Sequence, residues 1–591
     1  MSPRRWLTPG RRQVLRLAGV ASTLCVLGLG LSPALAAQLS GRWGGGNTSL
    51  WVQNLDPRSP STVIARFYEL PGDPPRPPKV VQRDNVPPWG VTIFDATNQG
   101  DALDQYAVIV ESDRKAAAVN FTEEPFNDSA VAYTDMPISA KVVVPLALRG
   151  FTKQEGGTEV SSLVSVESVT RTSGLRATFY SRMWSWELEN RLRRYSSVPN
   201  PPVTVSPAGS AGLATQRGEG GTWDIDLEDP AFDEPSRPAR YEGSVGWMLL
   251  EAEPGNALTA ESFASLSLMN RSPEQFDSFA VSAYPGVPIE QASNRLFVPL
   301  FRSHFFGITG ISVVNPDPAR SLRLRATYYV SPLSGRQCAG QAGGAVAHLD
   351  DSGNELVTVG PLESVVLYQL GRLSPPTTPR IQAPGSTGDP RLQPQCFGSA
   401  VIEVDPSTPG SIVAMVNDFH VDPKLRVATA DAYQAVRYEE TASTVAIPMV
   451  MHDARMPAGA IYPAASTGIQ VMNVDDSPAD VTLTVVAPAG AFRAGGPVAS
   501  QTQRIEPYRA GTFYTGFFPE LAGQTDFRGS AVVRSAGGQR LAVTVTVARG
   551  GKDSVTYNGF PSPSGSPIAW ADGGSTSRLM AAIAAPRRAL R

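Results

Sequence analysis

The chain has 591 residues, with 54 Gly, 52 Pro and only 18% charged side chains, and its 51 basic residues nearly balance 54 acidic ones. That length exceeds what one hydrophobic core serves, and Pro and Gly scattered evenly between short apolar runs argue against a helical protein. A hydrophobic content of 42% argues against disorder, and the lack of a basic stripe argues against a nucleic-acid partner.

Residues 1–37 read as an export signal. Arg4, Arg5, Arg11, Arg12 and Arg16 form a positive leader, an apolar run spans Leu17 to Leu31, and Ala34-Leu35-Ala36 is a small-x-small cleavage site. The run is too short for a membrane span of about 20 residues. Arg11-Arg12-Gln13-Val14-Leu15-Arg16 resembles the bacterial twin-arginine signal, with Val14 where that signal usually has Phe, so both export routes stay open. Cys25 follows Leu24 rather than a small residue, which argues against a lipid anchor. Cleavage would remove five Arg and no acid, leaving 46 basic and 54 acidic residues, a net of −8. Such mild acidity favours solubility.

Beyond residue 37, five markers recur in one order. The first is a strand expected to enter through Pro: Val144-Pro145-Leu146, Val298-Pro299-Leu300 and Ile447-Pro448-Met449. The second is an alternating strand ending in Asn-x-Asp, at Asn54-Leu55-Asp56, Asn315-Pro316-Asp317 and Asn473-Val474-Asp475, with Val166-Glu167-Ser168 in that slot of the second copy. Asn and Asp suit a strand end because their side chains bond the following turn. The third is Ala65-Arg66-Phe67-Tyr68, Ala177-Thr178-Phe179-Tyr180 and Ala326-Thr327-Tyr328-Tyr329, with Thr484-Val485-Val486 in the fourth copy. The fourth is an aliphatic residue two before Pro: Val86, Val205, Val359 and Ile505.

The fifth is a Gly-Ser strand with an alternating partner, at Gly243-Ser244, Gly398-Ser399 and Gly529-Ser530, its place in the first copy taken by Tyr106-Ala107-Val108. Each copy then closes on a Tyr: Tyr133, Tyr284, Tyr433 and Tyr557. Alternation such as Val481-Thr482-Leu483-Thr484-Val485 marks antiparallel sheets with one buried face. The expected fold is all-β, a tandem array of about four antiparallel β-sandwiches over 38–138, 139–290, 291–440 and 441–560, with loop insertions.

In the second copy, 182–240 is an insertion with a short helix expected over Met183–Arg194. In the third, 331–355 and 371–395 are insertions, and Cys338 and Cys396 lie at their edges. An even cysteine pair in an exported chain reads as a disulfide pinning those loops. The tail 561–591 has a Pro/Ser/Gly linker, one or two helical turns expected over Arg578–Ala585, and a basic end. It reads as a frayed tail or a docking peptide.

No catalytic signature appears: G-x-S-x-G, H-E-x-x-H and the phosphate-binding loop are all absent. His304, His348, His420 and His452 lack ligand spacing, so a non-enzyme is expected. Asp224, Asp226, Glu228 and Asp229 offer hard oxygen ligands suited to calcium, and no other metal or cofactor is expected. Trp184, Trp186 and Trp223 lie in the insertion, where exposed aromatics could stack on sugars or anchor a protein.

Tandem sandwiches behind a signal peptide resemble secreted bacterial cell-surface proteins built of immunoglobulin-like repeats. The resemblance spans 38–560 in architecture, with no residue-level motif. It implies an exported structural, adhesion or envelope protein, extracellular, periplasmic or surface-bound, presenting loops on a rod to a surface protein or polysaccharide. The alternatives are a carbohydrate-binding surface protein using the three tryptophans and a hydrolase with an inter-domain site.

Overall fold

The computed structural model describes residues 38–39, 47–562 with interruptions of which the longest are 207–221, 228–240 and 369–385, and 579–584. Among the described residues the chain is strand joined by turns and a few one-turn 3-10 segments. The all-β expectation holds. The helix expected at Met183–Arg194 does not: Leu175–Glu189 and Leu192–Pro199 form a hairpin pairing Arg182 with Pro199 and Glu189 with Leu192. Trp and Tyr alternate there with polar residues, and a strand suits that period-2 pattern better than a helix does.

The strand order is clearest in the last copy. One sheet runs Pro497–Ile505, Ala479–Val486, Phe527–Ser535, Thr444–His452, Phe560–Pro561; the facing sheet runs Ala510–Tyr514, Ala465–Asn473, Leu541–Arg549, Asp553–Asn558. Segment 141–288 repeats this order, with Lys141–Arg149 and Tyr241–Ala252 central to one sheet and Thr158–Ser168 and Leu258–Leu268 central to the other. Segment 295–437 repeats it too, its two sheets joined at the single pair Ser303 and Ile308. In segment 38–134 the sheets are Gln38–Leu39, Gln105–Ser112, Ser61–Glu69, Lys79–Val86 and Val91–Asp95, Asn47–Asn54, Ala116–Glu124, Ser129–Thr134.

Pro does not open its strand. Pro145, Pro299 and Pro448 sit mid-strand at a β-bulge, where Pro and the next residue oppose one residue of the Gly-bearing strand. The ladder is interrupted there, so the missing N–H costs nothing. The bulged residue still needs partners, and the closing Tyr supplies them. The hydroxyls of Tyr284, Tyr433 and Tyr557 donate to the carbonyls of Leu146, Leu300 and Met449, and two accept in return from the N–H of Leu300 at 3.3 Å and of Met449 at 3.2 Å.

The same register corrects one marker. Gly246, Gly398 and Gly529 share a position at which an added Cβ would lie 2.0, 2.1 and 2.5 Å from the carbonyl oxygens of Tyr180, Tyr329 and Val486. The second-copy equivalent of Gly398-Ser399 is therefore Gly246-Trp247, three residues beyond Gly243-Ser244.

The recurring Asn is a lock. The amide of Asn315 donates to the carbonyls of Arg320 at 2.7 Å, Gly360 at 2.9 Å and Val359 at 3.3 Å. Asn54 and Asn473 do the same to Val86 and Ile505 and to their own turns. All three are fully buried, so the second and fourth markers are two halves of one contact.

The copies do not string into a rod. The closing strands touch in a cycle: Ser278–Pro285 meets Val427–Gln434, which meets Asp553–Asn558, which meets Ser129–Thr134, which meets Ser278–Pro285. The four segments thus surround a common axis. Three neighbouring pairs show how they join. Val143, Trp247 and Leu249 pack with Val314 and Val413; Phe297 and Val401 with Met472, Val474 and Ala542; Ala446 with Leu55 and Ala117. The last of these joins the end of the chain to its beginning, and Trp51, Val91 and Val119 merge with the core of the last copy beside it.

The Asn lock gives a direct test. Asn315→Ala leaves buried carbonyls without a donor and should cost about 2–4 kcal/mol of unfolding free energy in denaturant titration. Asn315→Asp sets a carboxylate against the same carbonyls and should cost more. Equal, small losses in both variants would show that the amide is not the lock.

Candidate functional site

Three residues of one kind stand at the seams between copies. Trp89, Leu362 and Tyr508 each follow the Pro of the fourth marker and each has a positive φ, 58°, 54° and 59°. Such a backbone is uncommon for bulky side chains and costs of order 1–3 kcal/mol. Their carbonyls are turned to the preceding copy in the cycle. Trp247 Nε1 donates to Leu362 at 3.1 Å, Ser399 Oγ to Tyr508 at 2.7 Å and Ser530 Oγ to Trp89 at 2.7 Å. Trp247, Ser399 and Ser530 are the residues opposite the bulges. The Gly-Ser marker therefore has a task in assembly: Gly permits close strand approach, and the residue after it reaches the next copy. Arg509 strengthens one seam by donating to the carbonyls of Val330 at 3.0 Å, Gly344 at 3.3 Å and Gly343.

A further repeated node was not among the five markers. Ser162, Thr309 and Thr467 accept the N–H of Leu148 at 3.0 Å, Arg302 at 2.8 Å and Met451 at 2.8 Å, each three residues past the strand Pro. A hydroxyl six residues before the recurring Asn, as at Thr309 and Thr467, was the available signal, with Thr48 at the same spacing before Asn54.

Where the third and last copies meet, carboxylates gather. Asp418 and Asp431 are directly opposite on neighbouring strands. Asp418 pairs with Arg302 and accepts from Thr309 Oγ1 at 3.1 Å, while Asp431 accepts from Ser554 of the last copy. Asn558 Nδ2 donates to Gln434 oxygen at 2.7 Å beside them. These groups hold two copies together.

The sequence-predicted residues divide unequally. Cys338 and Cys396, 58 positions apart in sequence, are bonded with Cα atoms 5.1 Å apart, tying the 3-10 turn Arg336–Cys338 to the start of Cys396–Val404. Asp224 and Asp226 alternate on strand Thr222–Asp226, opposite Ser165 and Leu163, with Ile225 buried between them. Glu228 and Asp229 lie outside the described residues, as do the side chains of Trp184, Trp186 and Trp223. On the backbone, Trp184 and Trp186 pair with Ser197 and Tyr195 in the new hairpin, and Trp223 pairs with Val166. Among the described residues no group of three or more His, Cys, Asp or Glu is placed to hold a metal. His348 is fully buried, its Nδ1 3.0 Å from the Tyr328 hydroxyl.

No protein-family model matches the chain, and no curated protein matches it either.

Burial raises Tyr433 well above the ordinary phenol range, with Asp418 adding to it, and burial raises Tyr557 likewise. Below about pH 10 both the folded and unfolded forms keep these protons. Above it the unfolded chain releases protons that the folded chain retains, so stability falls as pH rises through 10. Tyr433→Phe with Tyr557→Phe should lower stability at pH 7 by about 1–3 kcal/mol per site and flatten the loss between pH 9 and 11. An unchanged alkaline slope in melting-temperature measurements would contradict the assignment.

Proposed function

We propose that this chain is an exported, non-enzymatic structural or adhesion component of a cell surface or envelope, in which a closed ring of β-sandwiches presents loops to a surface protein or polysaccharide. The observation that carries this reading is where the recurring polar residues go. The amides of Asn54, Asn315 and Asn473, the hydroxyls of Tyr284, Tyr433 and Tyr557, those of Ser162, Thr309 and Thr467, and the seam hydroxyls of Ser399 and Ser530 bond within the fold. The frame thus consumes its own polar chemistry, and what remains for a partner is the non-recurring insertions. The bonded Cys338–Cys396 pair at the edge of one insertion suits an oxidising compartment. Loops on a rigid scaffold are the usual place for recognition.

Carbohydrate binding through Trp184, Trp186 and Trp223 is a narrower form of the same proposal. Fractionation of the native cell with an antibody to the chain tests the whole reading. The expected product is in the envelope or extracellular fraction, begins near residue 38, and carries Cys338 and Cys396 as a disulfide on a non-reducing gel. Recovery from the cytosol with both thiols free would overturn it.

A further inference from the structure

Three Pro-bearing strands, Lys141–Arg149, Arg295–Ser303 and Thr444–His452, share a property that sets them apart. Each is apolar along nearly its whole length and almost every residue is buried. One face meets its own sandwich and the other meets the neighbouring copy. Each also pairs with the Gly-bearing strand of its own copy. Among the described residues the first copy has no such strand in its own segment. The counterpart of the Gly-bearing strand there is Gln105–Ser112, which itself has no Gly, and the residues before Asn47 read Gln-Leu-Ser-Gly-Arg-Trp-Gly-Gly-Gly. One edge of Gln105–Ser112 is taken by Ser61–Glu69. The other would be a bare edge.

Both ends of the chain come to that edge. Gln38 and Leu39 pair with Ile109 and Val108. Met580 and Ala581, within strand Leu579–Ala584, pair with the same Ile109 and Val108. A strand edge carries one ladder, so the two ends are competitors for it. Three features favour the C-terminal one. Among the described residues it pairs over six, from Leu579 with Val110 to Ala584 with Gln105, against two for the N-terminal end. Its sequence, Leu-Met-Ala-Ala-Ile-Ala, has no polar side chain, as a strand covered on both faces requires. Seventeen residues, 562–578, separate it from the last copy, a length of chain that can span at most about 60 Å.

We infer that Leu579–Ala584 is the missing strand of the first copy, donated from the far end of the chain, and that it latches the ring shut by displacing Gln38–Leu39 from the edge. The expected helical turns of the tail are thereby replaced by a strand, and the linker before it is the tether that lets the latch return. The latch is local to the ring and does not depend on the proposed surface role.

Cysteine pairs in the full-length chain distinguish the occupants. Ala582→Cys with Ala107→Cys reports the C-terminal latch, and Leu39→Cys with Val108→Cys reports the N-terminal competitor. Mild oxidation followed by peptide mass mapping should give an intramolecular 107–582 link in most molecules and at least several-fold less 39–108 link. In a separate full-length variant, Ala581→Pro should speed amide exchange across 105–110, because Pro cannot donate to the ladder. A 39–108 link as abundant as the 107–582 link, a 107–582 link found only between two chains, or unchanged exchange in the Pro variant would overturn the inference.

Discussion

A strand that is apolar on both faces must be covered on both, and that requirement organises the molecule. Lys141–Arg149, Arg295–Ser303 and Thr444–His452 meet it by facing their own sandwich on one side and the next copy on the other. A linear array would leave the strand at one end bare. Such an edge is prone to pair with another chain. Closing the array into a cycle removes that exposed face, and the apolar merger of the last and first copies around Trp51 does so across most of the sequence.

The seam itself divides its labour between apolar packing and polar aim. Each fully buried aliphatic side chain is worth about 1.5–3 kcal/mol against exposure, whereas a single hydrogen bond nets about 1 kcal/mol. Packing therefore supplies cohesion. The bonds from Trp247, Ser399 and Ser530 to left-handed carbonyls of the next copy set the docking angle. The strain at Trp89, Leu362 and Tyr508 is smaller than the packing it makes possible. The bulge at each strand Pro places the reaching residue at that seam, and the closing Tyr satisfies the backbone the bulge leaves unpaired.

Much of this was legible as spacing before it was legible as geometry. Alternation gave the sheets, and the Asn, Pro and Tyr markers fall on the contacts that hold each copy. The sequence alone suggests Pro at a strand entrance, because its neighbours are apolar whether it opens the strand or sits on a bulge. Gly243-Ser244 misled because the second copy uses Trp247 where others use Ser, and a hydroxyl and an indole N–H look nothing alike in sequence while donating alike in space. Met183–Arg194 and the tail misled because short apolar runs fit a helix or a strand equally well. The closed cycle could not be read at all: contacts between Gln53 and Ala531, 478 residues apart, leave no local signal. The candidate surface residues depend on the insertions, which follow no repeat and so give no internal comparison.

Solution scattering on residues 38–591 tests the closed ring most directly. A compact cycle of four copies should give a radius of gyration of about 25–30 Å, by the size scaling of folded domains. A value near 45 Å, which four such domains in a row would give on the same scaling, would contradict the account.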